Sequence, residues 1–141
     1  MKVFLSAICL LKLFAAGAQS KVVVQITNFE NNKGVAIVCL HNDAKAFSGK
    51  GEPLACERVT VANKTATAVF EAVPEGTYAV SVVHDENNNK KFDTNFLGIP
   101  KEGYGASQNK LPFAAAPKFD ENKFAVKNSA VSVNIKLRYL F

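Results

Sequence analysis

Hydrophobic and polar residues alternate along most of this chain with a period of two. The clearest case is VSVNIKL, where Val131, Val133, Ile135 and Leu137 take turns with Ser132, Asn134 and Lys136. Such a segment buries one face and wets the other, as a strand at the surface of a core must. KVVVQIT (21–27) and GVAIVCLH (34–41) are β-branched runs of strand length. ERVTVAN (57–63) and TATAVFEAV (65–73) are separated by little more than Asn63-Lys64, which predicts a hairpin. TYAVSVVH (77–84) follows the turn signal Pro74-Glu75-Gly76, and a further strand is predicted at NKFAVK (122–127). No segment keeps a capped 3.6-residue apolar period, so little or no helix is expected.

Strands of this length between turns predict one all-β domain over residues 21–141, a single antiparallel β-sandwich. A closed barrel is the alternative. The stretch from Asp85 to about Lys127 is too long for an ordinary connection. It carries Phe92, Phe96, Leu97, Ile99, Tyr104, Leu111, Phe113, Phe119 and Phe124, too much apolar surface for a linker. It is expected to be a long ordered loop that covers one end or edge of the sandwich. A sharper reading has some of these side chains line a recognition pocket.

Residues 1–18 stand apart: Met1-Lys2 is positive, Val3 to Ala16 is largely apolar, and Ala16-Gly17-Ala18 is a small-x-small cleavage site. This reads as a secretory signal peptide, so the mature chain is expected to be exported, periplasmic or secreted. Lys12 interrupts the run, which is also shorter than the roughly 20 residues of a membrane span. No membrane span is expected in the mature chain. Of the formal charge of +5, Lys2 and Lys12 belong to the leader and the rest is mixed along the sequence. No clustered basic face with interleaved aromatics is visible, so nucleic acid is not an expected partner. Cys39 and Cys56 remain; an oxidising compartment permits a disulfide between them, and two buried thiols are the alternative.

The segment HDENNNKKFDTNFLGIPKEGYG (84–105) holds the candidate chemistry. Asp85, Asn87, Asn89 and Asp93 occupy positions 1, 3, 5 and 9 of a short loop, and the Lys91 carbonyl falls at position 7. Alternate oxygens on a curling backbone suit a hard cation such as calcium. Lys90 at position 6 and Phe96 at position 12 depart from the helix-hand loop, which has Gly and a bidentate Glu there. Two formal anions beside two lysines predict weak affinity, about 10⁻⁴–10⁻³ M. The plain alternative is an Asn/Asp turn that bonds its own backbone. His84 and His41 each end a predicted strand, and if those strands are neighbours the two imidazoles could approach Asp85 and hold zinc or copper.

HDENNNKKFDTNFLGIPKEGYGASQN (84–109) closely resembles the signature of the bacterial exported family called domain of unknown function 2141. VFEAVPEGTYAVSVVHDEN (69–87) is similar to its Phe-x-x-Leu-Pro-x-Gly-x-Tyr-Ala strand and turn, and AAAPKFDENKFAV (114–126) to its Pro-x-Phe-x-x-Ala-x-Phe segment. The resemblance implies a small exported β-sandwich, prealbumin-like or immunoglobulin-like, and supplies no reaction. Asp85, Asn87, Asn89, Asp93, Gly98, Pro100, Glu102, Gly103, Tyr104 and Gly105 fall on family-typical positions. Lys90 stands where the family usually has Gly, which strains the loop if a left-handed residue is needed there.

These features favour a non-catalytic exported binding or structural module. Its candidate cation ligands are Asp85, Asn87, Asn89, Lys91 and Asp93, with His84, Glu102 and Tyr104 as recognition or anchoring residues. The partner to expect is a protein or glycan at the cell envelope. No Gly-x-Ser-x-Gly elbow, His-Glu-x-x-His helix or phosphate loop is present, so an enzyme is not expected. The alternatives are a carrier of a small ligand or, further off, a metal-dependent hydrolase built from His84, Asp85 and Glu102.

Overall fold

The computed structural model describes residues 19–141; the expected leader over 1–18 lies outside them. Eight strands and two single-turn helices follow in chain order: β1 (Gln19–Thr27), β2 (Val35–His41), α1 (Ala44–Phe47), β3 (Ala55–Thr60), β4 (Ala66–Pro74), β5 (Gly76–Asp85), β6 (Tyr104–Ala106), α2 (Phe119–Asn122), β7 (Phe124–Val126) and β8 (Val131–Lys136). The domain is all-β, built from two sheets. One has the order β4-β1-β8; the other has the order β3-β2-β5-β6, with β7 also paired to β5.

Period-two patterning becomes a core because both sheets turn their apolar faces to one cluster. Val22, Val24 and Ile26 of β1 meet Ala36, Val38 and Leu40 of β2, with Val80 and Val82 of β5 and Val133 and Ile135 of β8. Buried β-branched side chains at alternate positions are stiff and fill such a layer well. The one-turn helix α1 is capped by Asp43, whose carboxylate accepts the Ala46 N–H at 2.7 Å.

Four expectations need correction. The sheets are not closed, which removes the barrel alternative. The antiparallel expectation fails at one pair: β8 runs parallel to β1, with Val24 opposite Val133. Strand direction leaves no mark on a period-two pattern, so alternation alone could not reveal this. Asn63-Lys64 does make a tight turn, with both residues at positive φ and Ala62 bridged to Thr65. The strands beside it do not pair with each other, however: β3 pairs with β2 and β4 with β1. The turn is a corner between sheets, not a hairpin.

The stretch after Asp85 is also more than a loop. It delivers β6 and β7 to the free edge of β5, where they pair at Ser81–Val83 and Gly76–Tyr78. That pairing covers the edge with backbone, as edge strands require. Leu111 is buried and Phe124 packs on the core, whereas Phe96, Leu97 and Phe113 stand in water, 94%, 68% and 88% exposed. Polar side chains do most of the tethering. The enclosed Asn122 accepts the Gln108 and Lys110 N–H groups and donates to the Lys110 and Lys118 carbonyls, all at 3.0–3.2 Å. Ser107 accepts the Val80 N–H at 3.0 Å and donates to the Asn122 carbonyl at 2.5 Å.

Two further ties lock the body. The chain crosses between sheets at Pro74–Gly76, and the Tyr78 hydroxyl donates back to the Pro74 carbonyl at 2.7 Å. Cys39 and Cys56 face each other across β2 and β3 and are joined by a disulfide, Cα to Cα 4.1 Å, closing a separation of 17 residues. A double Cys39→Ser, Cys56→Ser variant is expected to lose about 3 kcal/mol of unfolding free energy. Tyr78→Phe is expected to lose about 1–2 kcal/mol by orphaning the Pro74 carbonyl. Urea unfolding of each variant against the parent checks both.

Candidate functional site

The end of β5 carries two polar side chains into the interior. Period two would place His84 and Asp85 on opposite faces, yet both are fully enclosed. His84 donates from Nε2 to the Lys33 carbonyl at 2.7 Å, which leaves Nδ1 to accept from the Tyr139 hydroxyl at 2.8 Å. Tyr139 in turn accepts the Glu30 N–H at 3.2 Å, and its own hydroxyl is pushed up to about 12, first by burial. Phe29 meets the imidazole edge-on at 4.9 Å. His84 is therefore an anchor joining β5 to the β1–β2 connection and to the C-terminal segment. His41 lies far from it: opposite Ala79 in the β2–β5 register, while His84 is opposite Ala36. The zinc or copper cluster that the two histidines could make if brought together does not form: β2 and β5 are neighbours, but antiparallel strands put their C-terminal ends at opposite ends of the sheet.

Asp85 organises the crest that follows. Its Oδ1 accepts the Asn89 N–H at 3.1 Å and its Oδ2 the Lys90 N–H at 2.9 Å. Arg58, reaching across from β3, lies 3.5 Å from Asp85 Oδ2 and donates to Asn88 Oδ1 at 2.5 Å. Asn87 accepts the Asn89 N–H at 3.3 Å, and Asn89 accepts the Lys91 N–H at 3.0 Å. Three successive side-chain oxygens thus coil the backbone around themselves. The coil forces Asn88 and Lys90 to positive φ, 57° and 63°. Lys90 occupies the left-handed conformation that costs a side chain roughly 1–2 kcal/mol.

Asp93 closes this coil. Its carboxylate takes the Asn89 amide N–H on both oxygens at 2.8 Å and the Asn87 amide N–H at 2.9 Å. Those donors, with Glu102 after them, hold its carboxyl below the usual carboxylate range. A short hairpin then runs out and back. Thr94 bridges Pro100, and the Lys101 N–H returns to the Asp93 carbonyl at 2.9 Å. At its tip the Asn95 side chain accepts from Leu97 and Ile99, and Gly98 takes φ 79°. This holds Phe96 and Leu97 outward on an ordered turn.

The hairpin brings Glu102 beside Asp93. Glu102 is 5% exposed; its Oε2 accepts only the Asp93 N–H, at 3.4 Å, and its Oε1 has no partner. Burial first, and the contact with Asp93 next, raise its carboxyl to about 7. Asn87, Asp93 and Glu102 line a cleft of about 410 Å³. Gly103 follows because a side chain there would strike the Tyr139 ring; an added Cβ would lie 2.3 Å from it. Tyr104 is anchored through its main chain, which exchanges both hydrogen bonds with Arg138 at 3.0 and 2.8 Å. Its half-buried ring lies 6.1 Å from that of Phe92.

The expected ligands thus gather on one loop, and their roles separate. Asp85 is committed to two amides and Arg58, while Asn87 and Asn89 face Asp93. Lys91 enters through its N–H. Among the described residues no group of three His, Cys, Asp or Glu side chains converges as a ready metal centre. Calcium also takes carboxamide and main-chain oxygens, so this bears on zinc-like sites more than on a hard-cation loop. Sequence reasoning missed Arg58 and Asn122, since neither carries a spacing signal. It gave Glu102 no part in the cation loop because the hairpin that returns it was not visible.

The family model for uncharacterized protein conserved in bacteria (DUF2141) matches residues 24–134. The chain belongs to that family. Its matched span includes every residue of this crest and runs into β8. No curated protein matches the chain. The match thus takes in all or part of every strand, from within β1 to within β8, beyond the segments 69–87, 84–109 and 114–126 that carry the resemblance in the sequence.

Glu102 links the crest to pH. Its folded value lies above its ordinary 4.5, so the folded protein keeps a proton that the unfolded chain has already released. That contribution is full below about 4.5 and is lost as pH rises past about 7. In chelator, the urea midpoint is expected to fall between about pH 5 and about pH 8, and Glu102→Gln to flatten that part of the slope. Asp85→Ala, which strands two amides and Arg58, is expected to cost about 2–4 kcal/mol in the same assay.

Proposed function

We propose that this protein is an exported, non-catalytic β-sandwich module, binding or structural in role, whose 85–93 loop takes calcium weakly. The observation that carries the calcium reading is the coil of Asp85, Asn87 and Asn89 about their own oxygens, closed by the Asp93 carboxylate. A loop already wound this way needs little ordering to receive a hard cation.

The sandwich reading is supported by one core shared by two open sheets and by the Tyr78–Pro74 tie, a device typical of corners in immunoglobulin-like sandwiches. Export is supported by the apolar N-terminal run and by the Cys39–Cys56 disulfide, which suits an oxidising compartment. Among the described residues no helix is long and apolar enough to cross a membrane. The partner class is a protein or glycan of the cell envelope, met by the ordered crest and its exposed Phe96 and Leu97.

The alternatives have less support. A hydrolase on His84, Asp85 and Glu102 would need free valences at an open surface, yet both His84 nitrogens and both Asp85 oxygens are engaged and enclosed. A carrier would need a hollow body, and the space between the sheets is filled by β-branched side chains.

With a dissociation constant of about 10⁻³ M, about 10 mM calcium should add roughly 1.4 kcal/mol of stability. That is about 5 °C in Tm for a domain of this size. Asp93→Asn should remove most of the gain while leaving the fold in chelator intact, a cleaner probe than Asp85. Thermal unfolding in calcium and in chelator is the measurement, and equal Tm values would exclude the cation.

A further inference from the structure

We infer that Glu102 is a ligand of the same cation, so that a divalent ion clasps the two limbs of the 93–102 hairpin together. This rests on the calcium reading of the loop and extends it to a residue outside the Asp/Asn coil. Three observations lead there. Glu102 is 5% exposed, one of its oxygens has no partner, and the other takes a single long contact from the Asp93 N–H. Burying a carboxylate so poorly served is costly, and an orphaned buried oxygen calls for a partner. Glu102 also shares a cleft with Asn87 and Asp93 of the coil, and Glu86, Thr94 and Lys101 complete its lining.

Charge points to a cation. Asp85 has Arg58 beside it, whereas Asp93 and Glu102 share one cleft in which amide donors serve Asp93 and Lys101 offsets part of its charge. A hard divalent ion with oxygen ligands answers both carboxylates at once. Phe96 stands where a helix-hand loop would present its closing carboxylate. Here the chain runs out through the Thr94–Pro100 bridge and returns, and the closing carboxylate arrives on the return limb. The ion would then hold the base of the turn that presents Phe96 and Leu97, making the order of that tip cation-dependent.

Calcium titration by calorimetry on the full chain tests this, with Glu102→Gln, Glu102→Asp and, as a control on the exposed face of β4, Glu71→Gln. Glu102→Gln is expected to weaken calcium binding about tenfold or more, since affinity follows the count of charged ligands. Glu102→Asp should fall between, and Glu71→Gln should match the parent. Tm in chelator should not drop in Glu102→Gln, which separates lost ligation from lost folding. Unchanged affinity in Glu102→Gln would overturn the assignment and leave the loop reading standing; no binding by the parent would overturn both. Hydrogen exchange of the parent supplies a measurement free of any variant. Calcium should slow exchange on both limbs of the hairpin, and protection confined to residues 85–93 would also overturn the assignment.

Discussion

A carboxylate sealed from water at the end of β5 governs this end of the molecule. Removing a charge from water costs several kcal/mol unless its oxygens are fully engaged. Asp85 meets that demand with two amides from its own loop and a guanidinium from β3. The demand dictates the coil of residues 85–91, the positive φ at Lys90 and the reach of Arg58 across β2. Gly34 belongs to the same constraint: an added Cβ there would lie 1.9 Å from the Asp85 carbonyl oxygen. His84, one residue earlier, is enclosed by a separate set of bonds to Lys33 and Tyr139.

The excursion between β5 and β8 obeys a related rule, that buried backbone groups must find partners. Its strands are only three residues long, too short to satisfy their surroundings. Asn122 and Ser107 supply the missing bonds. Asn109 does the same at the other sheet, accepting the Lys136 N–H at 2.8 Å and donating to the Asn134 carbonyl at 3.1 Å. Three small polar side chains thus act as substitute backbone. The aromatic residues of the same stretch divide, some packing inward and some, such as Phe96 and Phe113, left in water.

Electrostatics then sorts the acidic residues of the crest. Asp85 has its counter-charge built in. Amide donors hold the Asp93 carboxyl low, and burial raises that of Glu102 to about 7. On the proposed calcium reading an ion would draw chiefly on Asp93 and Glu102, and so small a count of charged ligands fits the weak affinity proposed for it.

Much of the body was legible from residues alone. Alternation in VSVNIKL and the β-branched runs dictates strands and their inward faces, because side chains on a pleated backbone point alternately and apolar ones leave water. The Asp/Asn spacing likewise dictates a self-bonded loop, since short polar side chains capture amides two to five residues on. Only the folded chain could decide the rest. The parallel seat of β8, the corner at Asn63-Lys64 and the separation of His41 from His84 depend on which strands become neighbours. So do the meeting of Arg58 with Asp85 and of Glu102 with Asp93. Period two records which way a side chain points and nothing about which strand lies beside it, so such contacts exist only once the sheets have assembled.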